Sequence, residues 1–395
     1  MRQGRAVVVT GYGLRCAAGS RAVLPRVSFA EPHPAATALG IAGVAQVAGL
    51  VEDPRFPDDR KGSLAAEVVK EALAVEREGL DGARLGLFLG TGLSSMTAVE
   101  VAAEVYPCLE KGEFNHAAAQ HRLKMLSTAP LRHMPARVTE LLGAAVGAIL
   151  TETSFSACAA SAMSIAEGAR AVARGDVDVA LAGGHDSMVH PLGMLSFVVL
   201  GALSPGVSRP FDRRRDGFLL GEGAAVLRLE AEEHARARGA PILARWLGAG
   251  TSVDAWNVTA PHPEGHGAAL AMARALRDAG LVASDIDYVN THGTGTPIGD
   301  RAEALAVRKV LGDVPVSSFK GAVGHTIAAA GAVEATLCLA AFQEGRLPLS
   351  VGAEELDPEC PVNVLMTEQR CRPRAILSNS FGFGGQNCAI ILGAP

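Results

Sequence analysis

The stretch Thr151–Gly175, TETSFSACAASAMSIAEGARAVARG, places one cysteine, Cys158, just ahead of a run of small residues at helical spacing. A thiol in the first turn of a helix meets unpaired N–H groups and the positive end of the macrodipole, which stabilise a thiolate and lower its pKa. The chemistry implied is nucleophilic attack by that thiolate. An inert buried cysteine is the competing reading, since free cysteine is among the most buried residue types. The helix is expected to end at Gly175, after Arg170 and Arg174 have placed positive charge near its negative end.

Three further segments carry groups suited to such a nucleophile. NTHGTGTPIGD (290–300) reads as a strand end, a glycine loop holding His292, Thr294 and Thr296, and a helix beginning near Asp300. That places the imidazole at the carboxyl edge of a sheet, where the active sites of α/β folds lie, although an ordinary turn histidine would look the same. SSFKGAVGHTIAAAG (317–331) repeats the theme, with Lys320 in a glycine loop and His325 at the start of an apolar helix. A histidine there is disfavoured as imidazolium and stays neutral. SNSFGFGGQN (378–387) sets Gly382, Gly384 and Gly385 around Phe383, which lets backbone N–H groups approach a reacting oxygen.

The elements that position these residues can be read from composition and periodicity. The chain has 395 residues, 49% hydrophobic and 19% charged, with 45 glycines and only 4% aromatics. A core of Ala, Val, Leu and Gly permits close helix–sheet packing and points to an α/β fold. The formal net charge of −5 gives no general indication of nucleic acid or membrane binding. Seven cysteines, an odd number without a C-x-x-C pair, argue against a disulfide framework or structural zinc and for a reducing compartment. With four apolar residues before Thr10 and Gly11, the N-terminus is too short for a signal peptide, and no run of eighteen apolar residues follows. A cytoplasmic protein is expected.

Along the chain, Ala6–Thr10 reads as a buried strand closed by a glycine turn, and residues 14–60 as mostly loop. Ser63 is the expected N-cap of a helix to Val75, Leu85–Gly90 a strand, and residues 96–150 mainly helical, bounded by Pro107, Pro130 and Pro135. Val177–Leu181 is a strand, and Phe211–Glu230 reads as two strands around Gly221–Gly223, followed by a short helix to Arg238. The second half offers a helix over 268–279, strands Tyr288–Asn290 and Val314–Ser317, helices from Asp300 and His325, and a hairpin of Ile376–Ser380 with Cys388–Leu392. Each half thus shows βα alternation ending in a strand pair, which predicts an internal duplication with a period of roughly 160 residues. The halves divide at 1–231, carrying the cysteine, and 232–395, carrying both histidines.

One cysteine and two histidines on three separate corners resemble the elongating β-ketoacyl-acyl-carrier-protein synthases of the thiolase superfamily. Four motifs carry the resemblance: SACAASA (156–162), RPFDRRRDGFLLGEGA (209–224), NTHGTGTPIGD (290–300), and KGAVGH with AAAGAVEA and SNSFGFGGQN. It runs from about Leu85 onward and is loose over residues 13–61 and 92–150. The second histidine separates the chain from initiating synthases, which carry asparagine there, and from thiolases, which use a second cysteine; Cys388 alternates into a strand and reads as structural. The resemblance implies a thiolase-like fold of duplicated βαβαβαββ halves in five α-β-α-β-α layers.

It also implies roles. Cys158 would accept an acyl group from an acyl-carrier-protein thioester. His292 and His325 would hold a malonyl thioester and promote its decarboxylation, and the enolate would attack the acyl-Cys158 thioester. The N–H groups of Cys158 and Phe383 would form the oxyanion hole. Thr294 and Thr296 would bind the phosphopantetheine arm on which substrates are carried, with Phe381 and Phe383 at the acyl entrance. No separate cofactor is required. Lys320, Glu334 and Asp300 would brace the histidine loops. Glu334 lies in a helix apolar on nearly every side, so its carboxylate must have a partner, either Lys320 or a monovalent cation held with Asn290, Ser378 and Asn379. An acidic carrier protein calls for a basic dock; Arg209, Arg213, Arg214 and Arg215 form the densest cluster, unless they are spent on Asp212 and Asp216. A homodimer is expected, with a heterodimer containing a chain-length-factor paralogue as the variant. A non-catalytic partner subunit and a thiolase-type enzyme of coenzyme A esters are the competing functions.

Overall fold

The computed structural model describes residues 4–74, 80, 82–92, 106–110, 113–125 and 134–395. The first strand, β1 (Val7–Arg15), does not stop at its glycines. The register shifts between Val9 and Gly11, at Thr10, and Gly13 lies against the backbone of Val68, where a Cβ would come within 2.0 Å of the carbonyl oxygen. Helix α1 (Arg60–Ala74) packs on it and starts before Ser63. Ser63 is not its cap: the side chain is buried and accepts the Asp53 N–H (3.0 Å), while Asp59 accepts the Gly62 N–H (3.1 Å).

Strand β2 (Leu85–Thr91) follows as expected. The helical reading of 96–150 is met only in part. Helices cover His116–Met125 and α2 (Arg137–Val146), Pro107 lies in a 3-10 turn, and Pro135 precedes α2, whereas Pro130 and residues 93–105 and 126–133 lie outside the described residues. Strand β3 (Leu150–Ser154) was missed, because an edge strand with Leu150, Thr151 and Glu152 exposed has no buried pattern to read. Helix α3 (Ala160–Arg174) ends on Gly175 in the left-handed conformation (φ 84°), as its sequence required. Then come β4 (Val179–Ser187), α4 (Pro191–Val199) and β5 (Glu222–Ala231). The two strands read into Phe211–Glu230 are therefore one. Phe218, Leu220 and Gly221 make only isolated bridges, to Leu203, His325 and Ala45.

The second half runs β6 (Ala244–Val253), α5 (His266–Ala279), β7 (Tyr288–Asn290), α6 (Pro297–Leu311), β8 (Pro315–Ser317), α7 (Ala330–Glu344), the short β9 (Asn363–Val364), and the hairpin β10 (Ala375–Phe381) and β11 (Gln386–Gly393). Helix α6 begins at Pro297, a residue suited to a first turn, rather than at Asp300. Lys320 lies in a four-residue helix rather than a loop.

Sheet order is β9-β8-β7-β10-β11-β6-β1-β5-β4-β2-β3. Around the β1–β6 junction, which is only two residue pairs long, β3-β2-β4-β5-β1 mirrors β8-β7-β10-β11-β6. Each half is a βαβαβαββ unit, so the duplicated fold expected from the resemblance is the fold observed. Helices α3 and α7 pack against each other and against strands of both halves; α1 and α2 cover one outer face, and α5 and α6 the other, giving five layers. The first half closes through α4 rather than a tight hairpin, which is why the chain reads as an imperfect repeat. Among the described residues, the one stretch long and apolar enough to cross a membrane, Ile327–Glu344, includes this central α7 and is 83% buried.

Candidate active site

The parallel strands β2, β3 and β4 point their carboxyl ends toward one edge, and the chain leaving β3 turns sharply there into α3. Ala157 takes φ 46°, Cys158 occupies a single 3-10 turn (Ala157–Ala159), and α3 begins at Ala160. A non-glycine residue in the left-handed region costs energy and persists where surrounding structure holds it. Gly382 supplies part of that hold: a Cβ there would lie 3.1 Å from the Cys158 nitrogen and 3.2 Å from the Ser156 oxygen. A glycine eases this close approach of the β10–β11 loop, which brings the Phe383 N–H, together with that of Cys158, to the sulfur. The two N–H groups named for an oxyanion hole thus lie side by side at the sulfur. One expectation fails. Burial pushes the Cys158 thiol up to about 12, with Lys320 pulling it down and Asp186 pushing it further up. The helix start does not leave a standing thiolate, because the side chain is 3% exposed and the cost of burying its charge dominates.

His292 follows β7 and His325 precedes α7. Their rings lie edge to face with centroids 5.3 Å apart. Burial, then the Lys320 charge, holds both well below the ordinary histidine range, so both are neutral. Both line a cavity of about 370 Å³ with Cys158, while in each ring Nδ1 is buried without a partner. A buried orphan N–H is rarer than an orphan acceptor. The proton therefore belongs on Nε2, and two imidazole N–H donors serve the cavity.

Each loop is pinned from several sides. The His292 and Gly293 N–H groups both donate to Glu303 (2.8 Å each), which also accepts from the Asn379 amide (3.0 Å). Asp300, one turn earlier on α6, accepts the N–H groups of Phe211 (2.7 Å) and Gly295 (3.0 Å) beside Arg215. His325 donates its N–H to Leu219 (2.7 Å) and accepts that of Gly221 (3.0 Å), while its ring meets the edge of Phe218 at 5.0 Å. Sequence reading missed Glu303 and Phe218. Glu303 had a signal: it lies three residues after Asp300 on the buried face of a helix start.

Glu334 is 2% exposed and Lys320 fully buried, and Lys320 Nζ donates to Glu334 Oε1 at 2.5 Å. Asn290 donates to Glu334 Oε2 and to Ser378 Oγ (2.9 Å each). The set named for a cation thus divides. Asn379 alternates to the other face of β10 and bonds Glu303 and Met272, so it does not join Asn290, Ser378 and Glu334. Of the two partners considered for Glu334, the lysine is in place.

Thr294 and Thr296 share a hydrogen bond (2.9 Å) on the cavity wall, which Phe381 and Phe383 also line. Phe381 lies 5.9 Å from the His292 ring and Phe383 stacks on Phe197 at 6.4 Å. The arginine cluster is largely spoken for. Arg213 pairs with Glu355 (2.7 Å), Arg214 with Asp212 and Glu354 (2.9 and 2.8 Å), and buried Arg215 with Asp357; of the carboxylates expected as partners, Asp212 serves and Asp216 is not among those that hold these three.

Burial raises Glu303 from the ordinary 4.5 to about 7 and Asp300 from 3.8 to about 6, against the donors that face them. A folded-state pKa above the unfolded one means that the native protein binds the proton more tightly. The stability this adds is complete below the unfolded values and is lost as pH rises toward 7, at about 1.4 kcal/mol per unit of displacement. Thermal unfolding followed from pH 4.5 to 7.5 should show a falling contribution that Glu303→Gln flattens; an unchanged slope would exclude Glu303 as its source.

The family models for "Beta-ketoacyl synthase, N-terminal domain" and "Beta-ketoacyl synthase, C-terminal domain" match residues 59–235 and 243–354. The mitochondrial 3-oxoacyl-[acyl-carrier-protein] synthase of Arabidopsis thaliana is 37% identical over 350 residues, covering 83% of this chain and 72% of its own. The ishigamide ketosynthase/chain length factor superposes with a TM-score of 0.86 at 31% identity, over 99% of this chain and all of the other. A type II polyketide ketosynthase complexed with its acyl-carrier protein, AntDE:AntF, gives 0.85 at 25% identity over the whole of both chains. With both domain models matched in order, and the cysteine and two histidines converging on one cavity, the chain belongs to the beta-ketoacyl synthase family.

Proposed function

We propose that the protein elongates an acyl chain by decarboxylative condensation with a malonyl group carried on an acyl carrier protein. One observation carries this reading: Cys158, two neutral imidazoles and two backbone oxyanion donors converge on a single cavity. In the first half-reaction, the Cys158 sulfur attacks the acyl thioester carbonyl and the thiol gives up its proton, which the departing sulfur takes. The tetrahedral oxyanion is held by the Cys158 and Phe383 N–H groups, and the carrier's pantetheine thiol leaves with a proton. In the second, the Nε2–H groups of His292 and His325 hold the malonyl thioester oxygen. Carbon dioxide leaves, the resulting enolate carbon bonds to the acyl carbon as the C–S bond breaks, and the released Cys158 thiolate takes a proton from water to restore the thiol. The threonine pair lines the approach for the pantetheine arm.

The intact nucleophile argues against a silent partner subunit, and the second histidine against a thiolase. A homodimer is supported by β3, which among the described residues ends the sheet with its outer edge unpaired and Ile149, Leu150 and Phe155 exposed. An exposed apolar strand edge invites pairing with another chain. Neighbouring structures include ketosynthase–chain length factor pairs, so a heterodimer through the same edge is the variant.

Turnover with acyl groups presented on an acyl carrier protein, and on coenzyme A alone, tests the reading: activity only with coenzyme A thioesters would overturn it. In the same assay Arg213→Glu addresses the dock. Arg213 is exposed and bonded to exposed Glu355, whereas Arg214 holds the buried Asp212. Together with Arg209 these side chains would face an acidic carrier. Reversing Arg213 should raise KM for the carrier-bound substrate and leave kcat alone, with the effect shrinking at high salt; an unchanged KM removes the patch.

A further inference from the structure

The turn that presents Cys158 exists twice. In the first half, Ala157 at φ 46° leads into a 3-10 turn (Ala157–Ala159) and the 15-residue α3, closed by left-handed Gly175. In the second, Ile327 at φ 50° leads into a 3-10 turn (Ile327–Ala329) and the 15-residue α7, closed by left-handed Gly345. Residue for residue, Ala328 stands where Cys158 stands. The two turns differ in what occupies the N–H at that position. At Cys158 it faces the reaction cavity. At Ala328 it donates to the Asp186 carboxylate (3.1 Å), which reaches across from the end of β4 and is 1% exposed. A second side chain from the first half, Ser161, accepts the Ala332 N–H (3.0 Å) on the next turn of the same helix.

The N–H that is open at Cys158 is thus taken here by a carboxyl group of the chain itself. The fit is close on the other side as well: a Cβ on Gly92 would fall 2.2 Å from the Asp186 carboxylate. His325 lies three residues before Ala328, with a left-handed residue between them. The carboxylate therefore fixes the strained end of the loop whose other end Leu219 and Gly221 hold. No part of the acyl-transfer step needs this loop's position as strictly as the malonyl step does, since the oxyanion donors come from Cys158 and Phe383.

We propose that Asp186 is a positioning residue for His325: its carboxylate occupies the anion-binding turn of the second half and so sets the imidazole for the malonyl step. The inference rests on the condensation reading above and assigns the residue to one half-reaction. Asp186 also opposes ionisation of the Cys158 thiol, so removing it gives no reason for slower acylation.

The test separates the halves. Acylation of Cys158 by an acyl-carrier-protein thioester is followed by quenched mass spectrometry, and the isolated acyl-enzyme is then mixed with malonyl-acyl carrier protein to follow a single turnover. Asp186→Ala should acylate at the parent rate and slow the second step by at least about tenfold, the scale on which slight misplacement of a reacting group acts. Asp186→Asn, which keeps an acceptor oxygen, should restore most of it. Should Asp186→Ala fail to fold, Asp186→Ser takes its place, its hydroxyl being too short to reach Ala328. Equal losses in both steps, an unaffected second step, or an asparagine variant as slow as alanine would each overturn the proposal. A parent enzyme that acylates but never condenses would overturn the condensation reading with it.

Discussion

Cys158→Ala should abolish condensation, by roughly the 10⁴ to 10⁶ in kcat that follows loss of a catalytic nucleophile, and no other cysteine should take up the acyl group. Cys16, Cys338, Cys360 and Cys388 are buried away from the cavity lining, and burial pushes each of their thiols up. Cys158 is pushed up as well. What distinguishes it is position: it alone has two imidazoles in the same cavity and two N–H donors at its sulfur. Reactivity here comes from groups that act when substrate arrives, the two oxyanion donors and the departing sulfur that takes the proton, rather than from a resting thiolate. Cys158→Gln should lose condensation and keep malonyl decarboxylation, because the amide imitates an acylated thiol and leaves His292 and His325 in place. Mass spectrometry after incubation with an acyl-carrier-protein thioester decides the first point, and an adduct elsewhere or an active alanine variant would refute it. Carbon dioxide release decides the second; its loss in the glutamine variant would mean that the histidines do not work without the thiol.

The second large effect concerns the pair Lys320 and Glu334. Both are at most 2% exposed, and neither has bulk water to fall back on. Removing one partner of a buried ion pair strands the other charge and costs about 3 to 5 kcal/mol, while replacing both with apolar groups of similar volume is often neutral. Lys320→Met should therefore lower stability by that order and depress condensation, since the stranded carboxylate would keep only the Asn290 amide and would act on the nearby histidines. Lys320→Met with Glu334→Leu should recover most of the stability. It should not recover the activity, because the Lys320 charge also keeps His292 and His325 neutral, second only to burial. Denaturant unfolding with malonyl decarboxylation measured on the same samples checks both. A single variant as stable as the parent, or a double variant with full activity, would exclude the role assigned to the pair.

Glu334 was legible as a buried carboxylate because every neighbour in AAAGAVEATLCLAAF is apolar or small, and a charge in such a helix needs a partner. The choice of partner was not legible. Asn379 looked available to a cation because it adjoins Ser378, but adjacent residues of a strand face opposite ways, and only the register of β10 beside β7 decides which one meets Glu334. The arginines around 209–215 show the same limit. Their density is in the sequence, but the acids that neutralise Arg213 and Arg214 include Glu354 and Glu355, about 140 residues away.

The sequence by itself determined the identity of the reacting groups and the local structure that presents them: small residues after Cys158 that permit a central helix, glycines where the β10–β11 loop must approach, and βα alternation in two halves. These are properties of a few consecutive residues, and local propensity and periodicity record them. Tertiary structure decided the rest. The Cys158 thiol is protonated because burial outweighs the helix start, the His292 loop hangs on Glu303, and the second half's copy of the nucleophile turn is closed by Asp186 from the first. Each is a balance of desolvation against partners that only the folded chain brings together, and for Asp186 and Ala328 that requires the two halves to pack onto each other.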